Sequence, residues 1–225
     1  MSASTACGYY SVSIIKKQVM AVTGLLLCGF LVSHLAGNCL IYIGPKAFNT
    51  YAHVLITHPL IYVAEVILGL IFIGHVTLAV WVELENYYAR PVKYHMKKHT
   101  GRGSTFASST MKYTGLIILV FLIIHIKSFK FGTYYSATYD GVEMRDLYKL
   151  LLEYFSDPIN VLWYIFSMLA LGLHVSHGFW SAFQTLGVNH PRYNHPLRCF
   201  SFFFAVAISL GYIALPIYCY LQGAR

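Results

Sequence analysis

Five long apolar runs separated by polar stretches divide the chain. They run from about residue 19 to 43, 60 to 82, 106 to 126, 158 to 183 and 199 to 221. Each is long enough to cross about 30 Å of hydrocarbon as a helix, which takes roughly 20 residues. The third is the least apolar at its start and carries Lys112 inside it. None alternates strictly with period two, which argues against a membrane β-barrel. A helix satisfies its own backbone polar groups in lipid. The pattern therefore predicts an all-α integral membrane bundle of five transmembrane helices, a single domain over residues 1–225. No internal repeat or low-complexity segment stands out along the chain.

The polar stretches between the runs set the orientation. With alternating spans, ten Lys and Arg fall on the side of the N-terminus and six on the other. Basic residues collect on the cytoplasmic side, so the N-terminus is predicted cytoplasmic and the C-terminus outside. Residues 83–105 then form a cytoplasmic loop and residues 127–157 an outer loop. The polar, basic stretch from Glu83 to Ser109, with His95 and His99, reads as a solvated loop near anionic head groups or as a docking surface for a soluble partner. The outer loop is rich in Tyr and predicts a short amphipathic helix around Met144–Phe155.

Composition supports the membrane reading. Hydrophobic residues make up 57% of the chain and charged residues 11%, against about 25% charged in soluble domains. Such a chain lacks the polar surface of a soluble domain and is far too apolar for disorder. The net charge of +8 reads as topology and not as nucleic-acid binding. The five Cys form no CxxC pair and no CxxCH, so neither a zinc site nor covalently attached haem is expected. The first basic pair, Lys16 and Lys17, opens a full-length span, which does not fit a cleavable signal.

The chemistry lies in the histidines. Of eleven, five sit inside apolar runs: His34 in span one, His75 in span two, His125 in span three, and His174 with His177 in span four. Ionisable groups inside a membrane are costly and by default functional. One on each of four helices points to metal or haem ligation. Helix rise places His34 roughly 24 Å, and His125 roughly 20 Å, from the N-terminal side. His75 and His174 lie only roughly 12 and 15 Å from it. The four residues thus sort into two levels, each with two His on different helices. Two His facing one another suit a six-coordinate haem b held without covalent attachment, with electron transfer as its chemistry. His174 and His177 lean toward the same face, and spacing alone does not choose between them. Gly37, Gly74, Gly172 and Gly178 near these positions fit a porphyrin pressed against helix backbone, and equally plain helix packing.

Longer motifs surround the histidines. They are Ser33-His34-Leu35, Ala47-Phe48-Asn49-Thr50-Tyr51-Ala52-His53, Gly74-His75, Lys112-Tyr113-Thr114-Gly115 ahead of His125, and the run Leu173–Trp180 continued by Ser181–His190. On these pieces the chain resembles the dihaem cytochrome b membrane-anchor subunit of succinate dehydrogenases and quinol:fumarate reductases. The resemblance covers nearly the whole chain. It favours His174 over His177, because the family's ligand His is followed four residues later by Gly. It implies two haems b, His34 and His125 as iron ligands of the distal one, and His75 and His174 as ligands of the proximal one. It also puts Lys112 and His177 in the haem surroundings, Lys112 where the family often has Arg as a propionate partner. Some dihaem fumarate reductases carry Glu two residues before the span-four ligand. Here that position is Gly172, which leaves their proton route without its carboxylate.

The resemblance further implies a flavoprotein subunit and an iron–sulfur subunit on the cytoplasmic face, menaquinone as the quinone, and the bacterial inner membrane as the location. The dicarboxylate chemistry falls to those partners, since this chain has no nucleotide-binding motif and no Cys set for iron–sulfur clusters. Glu65 is the candidate for proton transfer to the quinone. It is an acid roughly 8 Å inside span two by helix rise, near the level of His34 and His125. His53 and His58 are weaker candidates. The competing expectations are a haem b quinone subunit of a hydrogenase or formate dehydrogenase, and a non-haem proton-coupled transporter with His relays.

Overall fold

A computed structural model describes residues 3–89 and 105–223, and side chains from Ser13 onward. The order is α1 (Ala3–Asn38), α2 (Pro45–Thr57), α3 (Ile61–Tyr88), α4 (Phe106–His125), β1 (Ser136–Tyr139), β2 (Val142–Arg145), α5 (Leu147–Tyr154), α6 (Pro158–Thr185) and α7 (Pro191–Gly223). Among the described residues, five helices are long and apolar enough to cross a membrane. The molecule is an all-α membrane bundle with one small hairpin at one end. The basic stretch proposed as a docking surface falls largely in residues 90–104, outside the described residues.

Local chemistry sets the helix starts. Thr105 caps α4, its Oγ1 accepting from the Ser108 N–H at 3.1 Å. Asp157 caps α6, accepting from the Ile159 N–H at 2.8 Å, and Pro158 occupies the first helical position. Gly187, with φ 96°, ends the turn after α6 in the left-handed region that L side chains rarely adopt.

The packing is uneven. α6 is the hub: it lies against α7, α4 and α1 and buries nine residues. Hydroxyls join the helices where hydrocarbon offers no other partner. Ser209 donates to the Met168 carbonyl at 2.8 Å, Ser201 to the Ser176 carbonyl at 2.6 Å, and Tyr212 to the Leu31 carbonyl at 2.8 Å. By contrast α3 buries no residue and lies along α1, with no packing face on α4 or α6. The helix carrying His75 therefore stands off from the helix carrying His174.

Two segments between spans are more ordered than the sequence pattern predicts. The connection between the first two spans contains α2, started by Pro45 after Gly44. Its 13 residues are too short to span a membrane. The 127–157 segment holds a hairpin as well as a helix. Asp140 and Gly141, at φ 52° and 80°, form the two-residue turn. Met144 belongs to β2, so the amphipathic helix expected from Met144 begins later, at Leu147. Asn49, fully buried on α2, fastens this cap: it donates to Asp146 at 2.8 Å and accepts from the Tyr148 N–H at 3.0 Å.

Candidate haem-ligand sites

The four histidines expected as ligands come together in twos. His34 on α1 and His125 on α4 face each other with ring centroids 6.0 Å apart and planes at 83°. Two imidazoles bound to opposite sides of one metal, at about 2 Å per metal–nitrogen bond, have ring centres about 6 Å apart. Aromatic rings enclose the pair. Phe30 stacks on His34 at 5.2 Å, and Phe121 and Phe129 lie 5.5 and 5.3 Å from His125. The Tyr164 hydroxyl meets His125 Nδ1 at 3.1 Å, which leaves Nε2 as the nitrogen for a metal.

The second pair lies toward the N-terminal end of the bundle. His75 Nδ1 is 3.2 Å from both the Met20 carbonyl and Thr23 Oγ1. His174 Nδ1 is 3.2 Å from Thr114 Oγ1. His75 and His174 lie within electrostatic reach of one another, across the side where α3 stands off. Among the described residues, no group of three or more His, Cys, Asp or Glu gathers for a metal. Paired imidazoles with one nitrogen already satisfied are the donor set of a haem with two axial His, so the residues fit that group.

The small residues fall into two kinds. A Cβ at Gly37 would sit 2.7 Å from the Tyr51 ring, and one at Gly172 would sit 3.0 Å from Ser209. Those two glycines make room for protein. The glycines that face the imidazoles are others: a Cβ at Gly24 would lie 3.1 Å from His75, and one at Gly115 would lie 3.6 Å from His174. Sequence reasoning did not single out Thr23, Gly24 or Tyr164. The signal for the first two was available, since Thr23-Gly24 matches the Thr114-Gly115 already noted.

The remaining predicted residues make other contacts. His177 lies within electrostatic reach of both His174 and Arg198 of α7, while His174 is held against α4. Lys112 pairs with Glu83 at 3.5 Å and lies over the Tyr113 ring. Glu65 pairs with Lys130, which follows His125 by one wide helical turn. Both side chains are half-exposed, at 42% and 48%, so protein does not enclose this carboxylate. At the opposite end Lys16, only 13% exposed, pairs with Glu85 and lies over the Trp81 ring at 4.0 Å. Each of these ion pairs joins two spans at one end of the bundle.

No family profile and no solved structure matches the chain. A curated relative does. Over 177 residues, 76% of this chain and 79% of the relative, 25% of positions are identical to the succinate dehydrogenase cytochrome b558 subunit of Bacillus subtilis (strain 168). Paired histidines in a five-helix membrane bundle and this similarity point the same way: the chain resembles the cytochrome b membrane anchor of a succinate dehydrogenase.

Proposed function

We propose that this chain is the membrane anchor and electron-transfer subunit of a succinate:quinone oxidoreductase or quinol:fumarate reductase. It would hold two haems b, one through His34 and His125 and the other through His75 and His174. The observation that carries the reading is the pairing itself: His34 and His125 face one another at 6.0 Å, each from a different helix. Haem b, when bound, supplies one-electron transfer at each level. The chain's part is to hold the four imidazoles in place, to exclude water with the aromatic rings around His34 and His125, and to span the membrane between a quinone and a soluble iron–sulfur partner. The similarity to a succinate dehydrogenase subunit supports a flavoprotein and an iron–sulfur subunit as partners. The ten-to-six distribution of basic residues supports a cytoplasmic N-terminus and docking on that face. The resemblance supports menaquinone and the bacterial inner membrane.

Glu65 is the proton-transfer group of the quinone reaction in this reading. Its carboxylate accepts and releases a proton at the level of the hairpin end, with Lys130 as its charge partner. Lys112 and His177 line the surroundings of the haem held by His75 and His174. The Glu65→Gln variant is expected to keep both haems and to slow quinone turnover; normal turnover would remove the assignment.

The decisive test is a pyridine haemochrome assay on the purified chain. Close to two haems b per polypeptide is expected. None would overturn the reading and favour a proton-coupled transporter.

A further inference from the structure

Two short patterns recur in the chain, and the hydrogen bonds of the imidazoles bring them out. Met20, Thr23, Gly24, Leu25, Phe30 and His34 of α1 are matched 91 positions later by Met111, Thr114, Gly115, Leu116, Phe121 and His125 of α4. His75-Val76-Thr77, Ala79 and Trp81 of α3 are matched 99 positions later by His174-Val175-Ser176, Gly178 and Trp180 of α6. Matched residues make matched contacts. Phe30 and Phe121 each lie against the His four residues on. Thr23 and Thr114 each meet the Nδ1 of the His on the partner helix at 3.2 Å. The Met20 carbonyl accepts from the His75 Nδ1 at 3.2 Å. Trp81 and Trp180 each carry a cation over the ring, Lys16 at 4.0 Å and Arg198 at 4.7 Å. α1 with α3 and α4 with α6 thus repeat one local pattern around their imidazoles.

The direction of these hydrogen bonds follows from what each atom can do. The Thr23 hydroxyl donates to the Val19 and Met20 carbonyls at 2.9 and 3.0 Å. The Thr114 hydroxyl donates to the Thr110 and Met111 carbonyls at 3.2 and 3.0 Å. Each hydroxyl proton is already placed, so each Oγ1 is left as an acceptor toward the imidazole. The Met20 carbonyl only accepts, so the His75 Nδ1 facing it carries the proton, and the matched Thr114 acceptor puts His174 in the same form. Nε2 then holds its lone pair free.

We infer that Thr23 and Thr114 are equivalent positioning residues, fixing His75 and His174 in the Nδ1–H form with Nε2 free to bind iron. This rests on the haem reading above. An acceptor at Nδ1–H makes the imidazole a stronger donor to the metal and favours its oxidised state. Thr→Val keeps the side-chain shape and removes that acceptor, while Thr→Ser keeps it.

The experiment is an optical redox titration with low-temperature EPR and a haem count, on the full chain purified from membranes. It compares the wild type with Thr23→Val, Thr114→Val and the two Ser variants. Both Val variants are expected to move the same one of two midpoint potentials upward and to alter the same low-spin ferric signal. The Ser variants are expected to restore both. Loss of one haem in both Val variants, with two haems kept in both Ser variants, also supports the assignment. Unchanged potentials in the Val variants, shifts of different haems by Thr23 and Thr114, or Ser variants that behave like Val would overturn it. A wild type without haem would overturn the haem reading instead, and this inference with it.

Discussion

The two ends of the bundle hold the same kind of ligand by different means. At the hairpin end, His34 and His125 sit among Phe30, Phe121, Phe129, Tyr164 and Tyr212. Among the described residues one hydroxyl, that of Tyr164, meets an imidazole nitrogen there. At the other end, hydroxyls of α1 and α4 and a carbonyl of α1 hold the Nδ1 atoms of His75 and His174, and glycines lie beside the rings. Enclosure by rings restricts where an imidazole can be but sets its tautomer weakly. A hydrogen bond to a carbonyl sets the tautomer outright. If the two pairs hold haems as proposed, the fold offers two levers on them, exclusion of water at one level and ligand basicity at the other.

The largest expected effect separates the two levels. His75→Ala and His174→Ala should each remove one haem and leave the other, and His34→Ala and His125→Ala should remove the complementary one. Haem counting and EPR of the four variants check this. A single haem species lost in all four would break the two-level arrangement.

The hairpin end also carries a fastening through a fully buried amide, that of Asn49. Asn49→Ala removes the bonds to Asp146 and the Tyr148 N–H. That takes a partner from each of two half-buried groups, at a cost of about 1 kcal/mol. Faster proteolysis within 136–155, with the spans intact, is the expected sign.

A finer test compares the two glycines. Gly24→Ala places a methyl 3.1 Å from the His75 ring, where something must give, whereas Gly115→Ala places one 3.6 Å from His174, an ordinary contact. Gly24→Ala should lower haem retention at that level and Gly115→Ala should not, as read by the haem count after purification.

The smallest effect belongs to Tyr164→Phe. It removes a hydroxyl from His125 Nδ1 and keeps the ring, with an expected stability loss of about 1 kcal/mol. The potential of the haem at the hairpin end should shift and the other should not. An equal shift in both would show that the two levels are not independent.

Much of this was legible in the chain. The five spans stand out because hydrocarbon demands about 20 consecutive apolar residues. The four His stand out because ionisable groups are rare and costly in such runs. Other features were hidden for physical reasons. α2 is short and amphipathic, so it reads as a loop beside a span. The turn at Asp140-Gly141 is a local hairpin signal, but its strands are four residues each and carry little alternation. Gly37 and Gly172 read as room for a cofactor, yet Tyr51 and Ser209 fill that room, because the rotation of a helix about its axis does not show in its sequence.

Hydropathy and a fixed rise per residue already set the class, the number of spans and the height of each His along its helix. Which atoms meet was left to the packing. It turned His174 toward Thr114, it joined Glu65 to Lys130, and it left α3 standing off from α6. Those outcomes depend on how helices rotate and lean as they pack, and on which residue of a facing helix arrives at the same height.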